Sequence, residues 1–277
     1  MSTTAHHTID VASDVKLHAT LTTPTSTPPK DTPTLIFLHF WGGSSRTWDR
    51  TISQLSTSFP TVAFDTRGWA KSTGPLAPDA YSIATLADDV AAVIKSLDIK
   101  RYILVGLSIG SKISAFIAGR KTFPGHLAGI ILVSPAPPTP LILPPEIVAN
   151  QEQVWEEPEA AEFAIRNFLL AGHQPEDIIK ELTRDMMGGN AYARKAWISY
   201  GMKEDVSEYA KKSDVPALVI AGEKDLVEPV DNVKRLVHGV IQGSEMVIIQ
   251  NSGHLVPIEA PEELASHIAR FSKTSSS

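Results

Sequence analysis

Along the chain, short apolar runs alternate with stretches in which apolar residues recur every three or four positions. Thr34–Phe40, Thr61–Asp65, Arg101–Leu107, Ala128–Val133, Ala217–Ala221 and Met246–Ile249 are nearly continuous apolar runs. A strand covered on both faces reads this way, because neither side of it meets water. Residues 16–23 and the segment before them predict two further strands joined by a turn near Ser13 and Asp14. Between the runs, Ser82–Leu97 sets Ile83, Leu86, Val90 and Ile94 on one amphipathic stripe. Ser108–Ala118 predicts a helix of small residues, and Pro261–Phe271 a helix opened by proline. Strands alternating with helices predict an α/β fold, with a mostly parallel eight-stranded sheet covered by helices on both faces.

One block breaks the alternation. It opens with six prolines between Pro135 and Pro145 and continues with helix-like segments up to about Ser213. Trp155, Phe163, Phe168, Met186, Met187, Trp197 and Tyr200 are spread through it. The expected organisation is a core in two parts, residues 1–135 and 214–277, with a helical cap inserted over residues 136–213. A long insertion beside a strand end commonly shapes a pocket in such sheets. The same block also reads as a helical part of the core.

Composition narrows the chemistry. The 277 residues carry 25 Lys and Arg against 31 Asp and Glu, a net charge of −6. That disfavours nucleic acid or an anionic membrane surface as partner, because both select for basic patches. There is no cysteine, which excludes a thiolate metal site, a disulfide scaffold and a cysteine nucleophile. No His-Glu-x-x-His pattern is present, so no metal and no cofactor are expected. No apolar stretch approaches the length of a membrane span. The N-terminus lacks the pattern of a secretory signal, so the expected location is cytoplasmic. Ser275–Ser277 reads as a polar tail.

The run Arg101–Leu107 ends in Gly106-Leu107-Ser108-Ile109-Gly110, a Gly-x-Ser-x-Gly motif between a predicted strand and a predicted helix. A serine on so sharp a turn is held in strained backbone with its hydroxyl presented. Side chains two positions either side would collide, which favours glycine at both. The helix that follows turns its N-terminus toward the serine and favours negative charge there. Serine is a weak nucleophile until a base, oriented by a third group, takes its proton. Asp225 follows the run Ala217–Ala221, and His254 follows Met246–Ile249, in the chain order expected for acid and then base. Glu223, Glu228 and Asp231 are rivals for the acid, but Asp225 lies where the strand has just ended. The other histidines read as surface or half-buried residues, except His39, which closes the first central strand before Phe40-Trp41-Gly42-Gly43.

With these motifs and Asp65-Thr66-Arg67-Gly68-Trp69 in place, the chain resembles the α/β-hydrolase superfamily from about residue 16 to 272. The resemblance implies an α/β-hydrolase fold and the triad Ser108, Asp225 and His254. It also implies an oxyanion hole from the backbone N–H groups of Trp41 and Ile109, with Trp41 equally suited to a pocket wall. Three positions depart from the family pattern: Phe40 stands where glycine is usual, Leu107 replaces a common histidine, and Ser111 a common glycine. A serine nucleophile argues against the epoxide hydrolase and haloalkane dehalogenase branches, which need a carboxylate.

The expected activity is hydrolysis of small carboxylic esters or lactones through an acyl-enzyme. Cofactor-free perhydrolysis (haloperoxidase chemistry), carbon–carbon bond hydrolysis, acyl transfer and a receptor role are the alternatives on the same scaffold. Phe40, Leu141, Trp155, Phe163 and Met186 are candidate pocket residues, with Ile142, Leu143, Phe168 and Met187 as further apolar lid positions. For each of these, core packing within the insertion is the competing reading.

Overall fold

The computed structural model describes residues 1–142, 154–155 and 157–274. Leu143, the end of the proline run and the tail Ser275–Ser277 lie outside the described residues. The strands are β1 (Ser2–Ala12), β2 (Val15–Pro24), β3 (Thr34–Leu38), β4 (Thr61–Phe64), β5 (Arg101–Leu107), β6 (His126–Val133), β7 (Ala217–Gly222) and β8 (Glu245–Ile249). They form one eight-stranded sheet in the order β1-β2-β4-β3-β5-β6-β7-β8. β1 and β2 pair antiparallel, as do β2 and β4, and every later pairing is parallel.

Alternation along the strands builds two cores. In β3, Leu35 and Phe37 join one apolar cluster, while Ile36 and Leu38 join the other. Successive side chains leave a strand on opposite faces, so both clusters come from the same short run. Helices α1 (Asp49–Leu55) and, near the C-terminus, α10 (Pro261–Thr274) cover the first face. Helices α2 (Ile83–Ser96) and α3 (Ile109–Ala118) cover the second. The α2 stripe Ile83, Leu86, Val90 and Ile94 is buried as its spacing predicts. Ser82 caps that helix by accepting from the Thr85 N–H at 3.1 Å.

Between β6 and β7 the described residues form helices α4 (Pro158–Ala164), α5 (Glu176–Met187), α6 (Ala191–Ser199) and α7 (Ser207–Ala210), and no strand. α8 (Val230–Val233) and α9 (Val256–Glu259) follow β7 and β8. No helix among the described residues is long and apolar enough to cross a membrane.

Most strand limits fall within two residues of the sequence pattern, and the differences at β3 and β1 have a physical reason. β3 stops at Leu38, two residues before the apolar run ends. There the Phe40 carbonyl accepts from the Gly43 N–H at 3.0 Å, which turns the chain out of the sheet. β1 reaches back to Ser2, with most of its residues exposed and held by pairing with β2. An exposed edge strand carries no apolar signal to read.

The order of strands fixes where chemistry can gather. The chain runs from β3 to β4 on one side and then to β5 on the other, so β3 and β5 form a topological switch point. Ligands in open parallel sheets bind beyond the carboxyl ends at such a point. The loop after β3 and the turn after β5 are neighbours there, with Leu38 paired to Gly106.

Candidate active site

Ser108 sits between β5 and α3 with φ 55° and ψ −114°, a conformation that a serine adopts only under strain. The flanking glycines are explained by contact. A Cβ on Gly106 would lie 2.2 Å from the Gly110 carbonyl oxygen, and one on Gly110 would lie 2.6 Å from the Leu38 carbonyl oxygen. Both are impossible without moving backbone. Ser111, one of the departures from the family pattern, donates its hydroxyl to the Gly106 carbonyl at 2.6 Å and closes the turn from inside. The Ser108 side chain is half-buried and makes no hydrogen bond among the described residues. Hydrogen bonds of a resting nucleophile are commonly completed only when substrate binds.

The acid and base candidates meet beyond β7 and β8. Gly222 ends β7 against the His254 loop so closely that a Cβ there would lie 2.2 Å from the Gly253 carbonyl. His254 and Asp225 are 2% and 4% exposed, and His254 Nδ1 donates to Asp225 Oδ2 at 2.9 Å. The other carboxylate oxygen of Asp225 accepts from the backbone N–H groups of Val227 at 2.8 Å and Glu228 at 2.9 Å. Burial pulls the His254 imidazolium down, but the charge and hydrogen bond of Asp225 outweigh it. The result lies above the ordinary histidine value.

The rivals for the acid fare differently. Burial, with Asp225 beside it, pushes the Glu228 carboxyl up to about 8, so it is largely protonated at neutral pH. Glu223 accepts the Asn251 N–H in a turn, and the side chain of Asp231 is exposed.

The loop after β3 carries the remaining donors. Neither the Trp41 N–H nor the Ile109 N–H has an acceptor among the described residues. His39 is fully enclosed beneath the loop, where it bonds Thr66 through Nε2 and the Phe40 carbonyl through Nδ1. Asp65 accepts from the Ser45 N–H at 2.7 Å and the Lys71 N–H at 3.2 Å. Arg67 forms a two-bond pair with Asp89 of α2, both at 2.6 Å. The Asp65–Trp69 motif is therefore the scaffold on which the loop rests.

A cavity opens against Trp41 and Ile109. Its walls are His39, Phe40, Trp41, Thr66, Trp69, Tyr81, Leu86, Ile109, Ile113, Ala196, Trp197 and Gly201. Phe40 thus lines it, whereas Leu141, Trp155, Phe163 and Met186 do not. Trp155 is buried behind Trp41, with ring centroids 4.0 Å apart, and Trp155 and Met186 both pack on Gly42. Leu141 donates its N–H to the Met202 carbonyl at 2.8 Å. Phe163 is 60% exposed and packs edge-on with Phe168, itself half exposed, so it contributes to the outer surface instead. Among the described residues no group of three or more His, Asp or Glu is arranged to hold a metal.

Two residues were invisible to the sequence reading. Lys112, one helical turn after Ser108, is fully buried and donates to the carbonyls of Met202 at 3.3 Å and Thr139 at 3.4 Å. Burial pulls its ammonium down to about 8, against the opposing charges of Glu204, Asp205 and Glu228. A lone lysine in a small-residue helix reads as a surface position, so spacing gave no signal. Asp185 of α5 accepts from the Ser44 hydroxyl at 2.6 Å and pairs with Arg46, tying the insertion to the loop after β3. Trp41 adds a second tie by donating Nε1 to the Ala193 carbonyl at 3.1 Å.

Comparison with known proteins agrees with this architecture. A family model described as alpha/beta hydrolase fold matches residues 33–173. The chain is 28% identical over 261 residues to a bifunctional esterase/perhydrolase of Acinetobacter calcoaceticus, covering 88% of this chain and 92% of that protein. It is 25% identical over 245 residues to 3-oxoadipate enol-lactonase 2 of Acinetobacter baylyi, covering 84% and 85%. The structure of an esterase from Exiguobacterium antarcticum superposes with a TM-score of 0.85 at 20% identity, over 97% of this chain and 100% of that one. The family model spans just over half of the chain and includes the loop after β3 and the Ser108 turn, and on that match the chain belongs to the alpha/beta hydrolase family.

Proposed function

We propose that this protein is a serine hydrolase of small carboxylic esters or lactones. Ser108 is the nucleophile, His254 the base and Asp225 the acid that orients it. The observation that carries this reading is a strained serine at the switch point next to backbone N–H groups without acceptors, together with a buried His–Asp pair held beyond the ends of β7 and β8 of the same sheet. In the proposed cycle His254 Nε2 takes the Ser108 proton as Oγ attacks the carbonyl carbon. The carbonyl π electrons move onto oxygen, where the Trp41 and Ile109 N–H groups stabilise the charge. The tetrahedral species collapses, the C–O bond to the leaving group breaks, and His254 returns the proton to it. Water then repeats the sequence on the acyl-enzyme and frees Ser108.

The cavity beside Trp41 and Ile109 is lined by none of Ser108, Asp225 and His254, but its mostly aromatic and aliphatic walls would suit an apolar or aromatic part of the substrate next to the proposed oxyanion hole. The Acinetobacter relatives named as an esterase/perhydrolase and an enol-lactonase support both ester and lactone substrates. The former also favours a second reading, in which hydrogen peroxide replaces water at the acyl-enzyme and a peracid leaves.

The test is hydrolysis of a short-to-medium p-nitrophenyl ester series by wild type and Ser108→Ala. Turnover that vanishes in the variant while the fold persists supports the assignment. A variant that keeps a large share of the wild-type rate rejects it. Bromination in acetate buffer with peroxide tests the second reading, and its absence counts against peracid formation.

A further inference from the structure

The base candidate His254 is held from one side by Asp225. The backbone ahead of it is held by Glu259, five residues further along at the end of α9. One carboxylate oxygen of Glu259 accepts from the Gly253 N–H at 2.6 Å and the Ser252 hydroxyl at 3.4 Å. The second accepts from the N–H groups of Ala171 at 2.8 Å and Gly172 at 2.9 Å. Four donors thus converge on a single side chain, two from the His254 loop and two from the helical insertion. The contact between the two segments is tight. Leu255 donates its N–H to the Leu169 carbonyl at 3.1 Å, and a Cβ on Gly253 would lie 2.8 Å from the Ala171 nitrogen.

We propose that Glu259 is a positioning residue for His254, which clamps the Ser252–Gly253 peptide, directly ahead of His254, onto Ala171 and Gly172 of the insertion. Gly253 is the last residue before His254, and the N–H that Glu259 holds belongs to the Ser252–Gly253 peptide, from which the His254 backbone starts. Asp225 fixes the imidazole ring but not the backbone that carries it. Glu259 supplies that second restraint with charge-assisted bonds, which are about twice as strong as neutral ones. The same carboxylate makes the insertion part of the support of the base. Displacing residues 171–172 would therefore be felt at the ring.

The inference rests on the serine-hydrolase reading, so the experiment separates the two. Wild type, Glu259→Gln and Glu259→Ala are compared in ester turnover, in labelling by a fluorophosphonate and in the far-downfield proton resonance of the His254–Asp225 hydrogen bond. Gln keeps one accepting oxygen but turns an NH2 group toward two N–H donors. The expected result is a kcat about tenfold lower for Gln and about 100-fold lower for Ala, with KM within about twofold, since small misplacements of a catalytic group act on the chemical step. The downfield resonance should broaden or move in both variants. Should Glu259→Ala fail to fold, Glu259→Gln carries the test. A lower melting temperature with unchanged kcat and unchanged resonance would assign Glu259 a purely structural role and overturn the proposal. A wild type with neither turnover nor label would instead reject the hydrolase reading itself.

Discussion

His39 Nδ1 and the Phe40 carbonyl oxygen are 2.7 Å apart, and that bond sets the direction of the Trp41 N–H. Nε2 of the same ring accepts from the Thr66 N–H at 3.0 Å, so the ring proton must reside on Nδ1. Burial lowers the His39 pKa and keeps the imidazole neutral. The Phe40 carbonyl, further held by the Gly43 N–H, belongs to the same peptide plane as the Trp41 N–H. In a trans peptide these two groups point in opposite directions. Pinning the carbonyl below the loop therefore aims the N–H away from it, toward the proposed oxyanion.

His39→Ala should loosen that peptide, and because His39 also forms part of the cavity wall, KM is read alongside kcat. The expected outcome is a kcat lower by about 10- to 100-fold with little change in KM, somewhat less than outright loss of an oxyanion donor. Steady-state kinetics on a short ester, alongside a melting curve, would check it. An unaltered kcat in a folded variant would separate His39 from the chemistry.

The pH dependence follows from His254. As the proposed base it must be neutral to act, and its folded-state pKa lies above the ordinary 6.5 because Asp225 outweighs the effect of burial. Activity should therefore be full above that raised value and fall as pH drops through it. A profile of kcat/KM against pH should place its acid inflection above 6.5. Asp225→Asn removes the charge that raises it and should move the inflection down, together with a large loss of rate. An inflection that stays fixed in Asp225→Asn would assign it to another group.

How much of this was legible in the sequence depended on the kind of signal. β3 and β5–β8 could be read because each is apolar on both faces, and the Ser108 turn because Gly106 and Gly110 are sterically required. The motif at Asp65–Trp69 was visible, but its work was not. Thr66 serves His39, and Arg67 serves a residue 22 positions away in α2. The insertion was the weakest part. Phe163 and Trp155 look alike as apolar residues in helical segments, yet one is exposed and the other buried behind Trp41. Burial in a helical layer is decided by which face docks, and that depends on contacts such as Asp185 with Ser44 that no local pattern encodes. Lys112 was missed for the same reason, since its partners lie 27 and 90 residues distant, and so was Glu259, whose two partners in the insertion lie 87 and 88 residues away.

Glu228 makes stability depend on pH in a direction opposite to the usual carboxylate. Its folded-state pKa is about 8 against an ordinary value of 4.5, because burial disfavours the anion. Between those values the folded state holds a proton that the unfolded chain has lost. Stability from this group is full below about 4.5 and is lost as pH rises toward about 8. Glu228→Gln should remove the dependence. Measured by chemical denaturation, the variant should gain on wild type by a few kcal/mol (~1.4 per pKa unit) across that window. A constant difference at all pH values would show that Glu228 is not carried neutral into the fold.

Arg67 and Asp89 test the scaffold beneath the loop. Both are buried, and they share two hydrogen bonds of 2.6 Å while Arg67 also donates to the Ala80 carbonyl at 3.1 Å. Replacing Arg67 alone leaves a carboxylate enclosed without its partner. Arg67→Met should therefore cost about 3–5 kcal/mol. Removing both charges should cost less, because an apolar pair of similar volume escapes the desolvation that the ions suffer. The double variant Arg67→Met with Asp89→Leu is thus expected to be more stable than Arg67→Met, a strongly non-additive cycle. Activity supplies the second readout. Arg67 follows Thr66, which bonds His39, so a loosened Arg67 reaches the Trp41 peptide through two contacts. If the double variant recovers stability while kcat stays depressed, the pair positions the loop as well as stabilising the core. Additive losses of stability in the cycle would mean that the two side chains do not act as a unit.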